Sequence, residues 1–257
     1  MRPPLVLAYH GLGSIARELD PHNLMLEPDR FRRQVSSLKR RGYRFVPLLE
    51  MVGYLEHASE PPAGLCALTF DDGSADNLEV LVPLLRELQA PATVFACPGL
   101  LGRAHFAMEP ASGVRLMNAD ELRELDAEPL VEVGSHTTYH DELSTSSAED
   151  AHREMVDSKR ALEELLGRPV RSFAYPKCGY SEACPDAARR AGYDVAVTCG
   201  GRGGWRPFEL ARASVDSLDG RITFALKSRG LFGPLRDSAV GRVARAAVRP
   251  VRHSNSS

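Results

Sequence analysis

Two adjacent acids followed by a glycine, Asp71-Asp72-Gly73, and two histidines four residues apart, His136 and His140, are the side chains of this sequence best suited to chemistry. Imidazole nitrogen and carboxylate oxygen together suit zinc and neighbouring divalent metals, and a site built from two His and one Asp keeps the open positions a catalytic metal requires. Each fragment alone is ordinary. Asp and Gly favour solvated turns, and an HxxxH pair is common on protein surfaces. Their joint presence changes the weighing. Spacing of i, i+4 puts both imidazoles on one face if the segment is helical, as in known two-histidine zinc motifs, although the Glu of the protease version is missing. Successive strand residues point to opposite faces, so Asp71 and Asp72 reach one site only if their strand ends there. Gly73 permits such an exit.

The surrounding elements place these residues. Leu5–Tyr9 reads as a strand, Pro28–Arg41 as a helix with Phe31, Val35 and Leu38 on one face, and Tyr43–Val46 as a strand, with Pro47 opening the next helix. Ala67–Phe70 is an expected strand and Asp76–Leu88 a helix. Thr93–Ala96, Val131–Val133, Arg171–Ala174 and Asp194–Thr198 are further strands. Asn118 with Glu121 has the form of a capping box, Ser146 with Glu149 is expected to cap a long helix ending near Leu166, and another helix covers about 185–191. The stretch from Gly99 to Met117 reads as a long surface loop. Such βα alternation predicts an α/β fold, a mostly parallel sheet with helices outside it. Four polar clusters then follow predicted strands: His10, Asp71-Asp72-Gly73, His136 to His140, and Tyr175-Pro176-Lys177. Loops at the carboxyl ends of parallel strands share one face, so these clusters are expected to converge.

The 257 residues carry a formal net charge of −2, which points to no nucleic-acid partner. No internal repeat or Gly/Ser-rich linker divides the chain, so a single catalytic domain over residues 1–233 is expected, followed at 234–257 by a basic helix and a disordered tail. From Arg221 to Ser257 there are eight Lys or Arg against one acid, Asp237. The pattern of Leu235 to Arg249 fits a basic amphipathic helix, a form compatible with peripheral contact to an anionic membrane; a solvated helix is the simpler reading. Five cysteines, an odd number without a CxxC pair, are expected to be reduced thiols. The N-terminus holds only a short apolar run, so a cytoplasmic chain without signal peptide or membrane span is expected.

Thr69 to Gly73 (TFDDG) and His136 to His140 (HTTYH), with Phe173 to Pro176 (FAYP) and Ala191 to Tyr193 (AGY), resemble the polysaccharide deacetylase family, also called the NodB-homology or carbohydrate-esterase-four domain. The resemblance covers about His10 to Asp216, and its first two motifs together are highly specific. It implies a distorted (β/α) barrel and a metal-dependent hydrolase that removes N-acetyl groups from an N-acetylated polysaccharide such as an exopolysaccharide; a lipid-linked sugar is the other expected substrate, since a basic segment at a membrane surface would meet one there. On that resemblance Asp72, His136 and His140 are the metal ligands and Asp71 the general base. Zinc is the first expectation, with cobalt, nickel or iron compatible with the same donors. Tyr175, Pro176 and Lys177 match the motif that contacts substrate and supplies an oxyanion donor.

Two features depart from the common family pattern. The catalytic acid is usually a histidine in a late Leu-x-His motif, yet Val215 to Gly233 contains none. The branch acting on poly-β-1,6-N-acetylglucosamine resembles a circular permutation and carries its acid in an N-terminal Tyr-His motif; Tyr9-His10 matches it, making His10 the expected acid. Pro176-Lys177-Cys178 also replaces the usual Pro-aromatic-Gly. Arg212 and Asp216 are candidates to orient the catalytic groups, a structural ion pair being the alternative. His22, His57, His105, His152 and His253 have no partner signature and are expected at the surface. Two other functions fit the same residues: a small-molecule amide or formamide hydrolase, and a catalytically silent glycan-binding module. The second is disfavoured because binding alone needs no base beside a metal.

Overall fold

The computed structural model describes residues 2–199 and 205–229. Seven parallel strands close into a barrel: β1 (Leu5–Tyr9), β2 (Leu65–Phe70), β3 (Ala92–Ala96), β4 (Val131–Ser135), β5 (Ser172–Ala174), β6 (Val195–Cys199) and β7 (Leu210–Ser214). Closure comes from β1, which pairs with β2 from Leu5↔Cys66 to Tyr9↔Phe70 and with β7 at Leu7↔Ala213 and Ala8↔Ser214. The first strand of the barrel thus sits beside its seventh, and His10 follows β1 at the carboxyl end of the barrel.

Strands covered on both faces read as continuous apolar runs, here LVLAY, LCALTF and ATVFA. Strand alternation separates two cores. Leu5, Leu7, Tyr9, Cys66, Leu68, Phe70, Ala92 and Val94 face outward against the helices. Helix α1 (Pro28–Arg40) buries Phe31, Val35 and Leu38 there, at about 1.5–3 kcal/mol each, and the Phe31 ring sits 5.3 Å from Tyr9 and 5.6 Å from Phe70. Val6, Ala67, Phe95, Ala174, Val195, Val197 and Leu210 face inward and are plugged by Val46 with Leu48, Met51 and Val52 of α2 (Leu48–Gly53). One end of the barrel is therefore sealed by apolar packing, and polar inward positions (Thr69, Asp71, Arg212) lie towards the other.

Among the described residues the remaining α-helices are α3 (Val82–Leu88), α4 (Ala119–Asp126), α5 (Ala148–Leu166), α6 (Cys184–Arg190) and α7 (Arg221–Lys227). The capping box of α4 forms as expected, Asn118 accepting from Asp120 and Glu121 N–H while Glu121 accepts from Asn118 N–H. The cap of α5 is Ser147, which accepts from Asp150 N–H, one residue after the expected Ser146. Asp76–Leu88 is not one regular helix: Asn77–Leu81 is a π-turn leading into α3. Pro83 lacks the N–H an α-helix would use there, and the wider turn relieves its ring of the clash with the preceding turn. Tyr43–Val46 contributes only a two-residue strand, Arg44–Phe45, beside the start of β2 and is no stave of the barrel. The seventh stave, β7, was not among the expected strands.

No helix among the described residues is long and apolar enough to cross a membrane. The expected basic helix and tail at 234–257 lie outside the described residues.

Candidate active site

At the carboxyl end of the barrel the loops after β1, β2, β4 and β5 carry His10, the two acids, the two histidines and Lys177. By strand parity Asp71 points inward like Thr69 and Ala67. Asp72 would point away, and is returned to the site by a left-handed backbone, φ +74° at both Asp72 and Gly73. A Cβ on Gly73 would meet that of Ala96 at 3.2 Å, so close packing reinforces the conformational demand for glycine. Asp71 N–H still donates to Tyr9 O at 2.9 Å, which keeps the acid in register with β1.

His136 and His140 converge through a tight loop and not, as their spacing suggested, on a helix. Thr137 (φ +61°) and His140 (φ +63°) are left-handed, and Thr137 Oγ1 accepts from Asp141 N–H at 3.0 Å. Of seven non-glycine residues with positive φ among the described residues, five lie in the three loops holding the acids, the histidines and Lys177-Cys178. Strain of this kind collects where surrounding structure fixes a functional geometry.

The donor atoms fit a divalent cation. One oxygen or ring nitrogen from each of Asp72, His136 and His140 lie within 4.8 Å of one another. Asp72 Oδ1 is buried with no hydrogen-bond partner, 3.6 Å from His136 Nε2 and 3.5 Å from His140 Nε2. His136 Nδ1 lies 2.7 Å from Ala174 O. A carbonyl only accepts, so the ring proton is on Nδ1 and the Nε2 lone pair faces Asp72. Burial, with the neighbouring His136 adding, pushes the His140 imidazole down to about 4, leaving it neutral and able to ligate near neutral pH. Burial would raise the Asp72 carboxyl, but hydrogen bonding from His105 and the surrounding imidazoles hold it well below the usual carboxylate range.

Asp71 sits beside this cluster in the grip of Arg212. Arg212 is fully buried inside the barrel, its Nη1 and Nη2 each 2.7 Å from an Asp71 oxygen. It also donates to Thr69 Oγ1 at 3.0 Å and Thr198 O at 3.3 Å, with its guanidinium 5.6 Å from the Phe95 ring centre. Against the upward push of burial, Arg212 and then His136 keep Asp71 ionised. His10 is half-buried; its Nδ1 has no hydrogen-bond partner, and its carbonyl accepts from Asn77 Nδ2 at 3.1 Å, so the π-turn after β2 anchors the loop after β1.

Other residues expected at the site take their own places. Asp216 is not gathered into the cluster: its carboxylate accepts from Leu218 N–H and pairs with Lys227 at 3.6 Å in a turn after β7. Tyr175 is fully buried in the outer core, its hydroxyl donating to Phe208 O at 3.0 Å, while its N–H donates to Val197 O. Lys177 is exposed and left-handed, φ +53°, with Nζ 3.7 Å from Glu142. Cys178 and Cys199 form a disulfide, leaving Cys66, Cys97 and Cys184 as thiols. This overturns the expectation of reduced cysteines throughout and removes that support from a cytoplasmic placement, since disulfides persist in oxidising compartments. His105, expected at the surface, is 4% exposed and puts Nε2 3.3 Å from Asp72 Oδ2. The Gly99–Met117 stretch that carries it is not a loose loop. It is pinned by His105 N–H to Val114 O, Leu116 N–H to Arg103 O and Met117 N–H to Gly73 O.

Residues 58–196 match the polysaccharide deacetylase family model, and the chain belongs to that family. The Bacillus subtilis protein YxkH is 26% identical over 193 residues, 75% of this chain and 63% of its own length, so the chain spans less than two thirds of that relative. Two solved structures share the fold: the Streptococcus pyogenes deacetylase PplD in complex with acetate (TM-score 0.73, 24% identity, 88% of this chain and 98% of that one) and IcaB from Ammonifex degensii (TM-score 0.72, 22% identity, 91% and 98%).

Proposed function

We propose that the protein is a divalent-metal-dependent hydrolase that removes N-acetyl groups from an N-acetylated polysaccharide or lipid-linked sugar. The observation that carries this reading is the buried, unpartnered Asp72 Oδ1 between two Nε2 atoms, with an ionised carboxylate, Asp71, at its side. Family membership supplies the glycan amide as substrate class. Asp72, His136 and His140 hold the ion, zinc being the first candidate and cobalt, nickel or iron compatible. When bound, the metal supplies Lewis acidity that polarises the amide carbonyl and makes water more acidic.

The other roles fall to the chain's own groups. Asp71, steadied by Arg212, accepts a proton from the attacking water; both of its oxygens keep lone pairs beyond those used by the guanidinium. Tyr175 N–H is engaged with Val197 and Pro176 has none, so the backbone donor to the developing oxyanion falls to Lys177. As the C–N bond breaks, His10 gives a proton to the departing amine. Acetate and the free amino sugar result.

The test is acetate release from β-1,6- and β-1,4-linked N-acetylglucosamine oligomers by the zinc-loaded wild type, Asp71→Asn and His10→Ala. Activity in the wild type, with a loss of about 10²–10⁴-fold in each variant and unchanged zinc binding, is expected for a lost acid or base. Zinc binding with neither oligomer cleaved would overturn the polysaccharide reading. Full activity in His10→Ala would remove His10 as the acid.

A further inference from the structure

Two groups of the site lean on a holder, His136 on Ala174 O and Asp71 on Arg212. For Asp72 the holder is a residue that no motif contains. We propose that His105 is a positioning residue, fixing Asp72 so that Oδ1 alone faces the metal. This rests on the reading of Asp72, His136 and His140 as the metal cradle.

The protonation pattern of His105 follows from its partners. Ala107 N–H donates to His105 Nδ1 at 3.2 Å, so Nδ1 is the bare nitrogen and the ring proton is on Nε2, facing Asp72 Oδ2 at 3.3 Å. His136 and His140 approach the other oxygen of the same carboxylate. One side of Asp72 is thus occupied by an N–H and the other is left for a cation. The backbone that carries the ring is held, His105 N–H donating to Val114 O and its carbonyl accepting from Met108 N–H. Its neighbour Phe106 stacks on His105 with centroids 4.9 Å apart and lies 4.3 Å from the His140 ring. The 105–106 dipeptide therefore braces two of the three ligands from a segment outside the family's motifs. Partners that orient ligands in this way are worth about 10–100-fold in metal affinity.

Zinc affinity, measured by competition with a chromogenic chelator, tests this on the wild type, His105→Phe, His105→Gln and His136→Ala. Phe keeps the ring and its stacking but has no N–H; Gln loses the ring but can present an N–H close to the Nε2 position. Positioning through the hydrogen bond predicts zinc binding weakened about 10–100-fold in His105→Phe and largely restored in His105→Gln. Wild-type affinity in a folded His105→Phe would overturn the proposal, as would equal weakening in both variants, which marks loss of packing alone. His136→Ala keeps the two ideas apart. If it loses zinc while His105→Phe binds normally, the cradle stands and the role of His105 falls. If His136→Ala binds zinc as the wild type does, the cradle reading fails and the proposal with it.

Discussion

Arg212 and Asp71 face each other inside the barrel through two parallel 2.7 Å hydrogen bonds, joining the last strand to the loop after the second across 141 residues of sequence. The pair is buried, so breaking it leaves an uncompensated charge, a loss of about 3–5 kcal/mol in such settings. Arg212→Met is therefore expected to unfold at markedly lower denaturant. Arg212→Lys keeps the charge but not the planar fork. It should fold better than Arg212→Met yet lose kcat with little change in KM, because Asp71 is no longer aimed. A Lys variant with wild-type kcat would show that the fork is structural only.

The same pair sets an acid response. The Asp71 carboxyl is depressed in the folded state, so its contribution to stability is present above the unfolded value of about 3.9 and is lost as pH falls through the folded one. In Arg212→Met the main depressing influence is gone and burial, which favours the protonated acid, remains. The stability gap between wild type and Arg212→Met should narrow as pH drops from 7 to about 3.5. Denaturant midpoints at pH 7, 5 and 3.5 check this, and a gap constant with pH would mean that Asp71 is not the group Arg212 compensates.

What was legible from sequence follows the same physics. Strands β1, β2 and β3 announce themselves because parallel barrel staves are apolar on both faces. Strand β7 hid because its central inward residue is Arg212, and a charged side chain at a core position reads as surface unless its partner is known. The HTTYH spacing was right about convergence and wrong about the helix: two left-handed residues bring His136 and His140 together as effectively as one helical turn. His105 carried no signal, since its partner Asp72 lies 33 residues earlier and the loop between Gly99 and Met117 has no periodicity. The disulfide was invisible for a related reason. Cys178 and Cys199 are 21 residues apart and meet only because β5 and β6 are adjacent.

That disulfide gives a simple count. Alkylation in denaturant without reductant should label three cysteines, Cys66, Cys97 and Cys184, and with reductant all five. Cross-links closing loops of this length contribute about 3 kcal/mol through the unfolded chain, so Cys178→Ser with Cys199→Ser should lower the denaturation midpoint. Cys199 Sγ is also 3.7 Å from Arg212 Nη2, and Cys178 follows Lys177 directly. Reduction should therefore reach activity as well as stability. Five labelled cysteines before reduction, in protein prepared under oxidising conditions, would sink the assignment.

Metal removal separates ligands from base. Without a cation, Asp72 Oδ1 is a buried acceptor with no donor, an arrangement that costs about 1–3 kcal/mol or more for a charged group. Zinc added to 100 times its Kd should contribute about 2.7 kcal/mol, raising Tm by roughly 5–10 °C for a chain of this size. His136→Ala and Asp72→Asn should lose most of that increment, because each removes a donor. Asp71→Asn should start from a lower Tm, its neutral side chain leaving Arg212 without a countercharge, and yet keep the zinc increment, because Asp71 faces Arg212 and is not part of the cradle. If Asp71→Asn lost the increment as completely as Asp72→Asn, the two acids would share the metal and another group would have to serve as base.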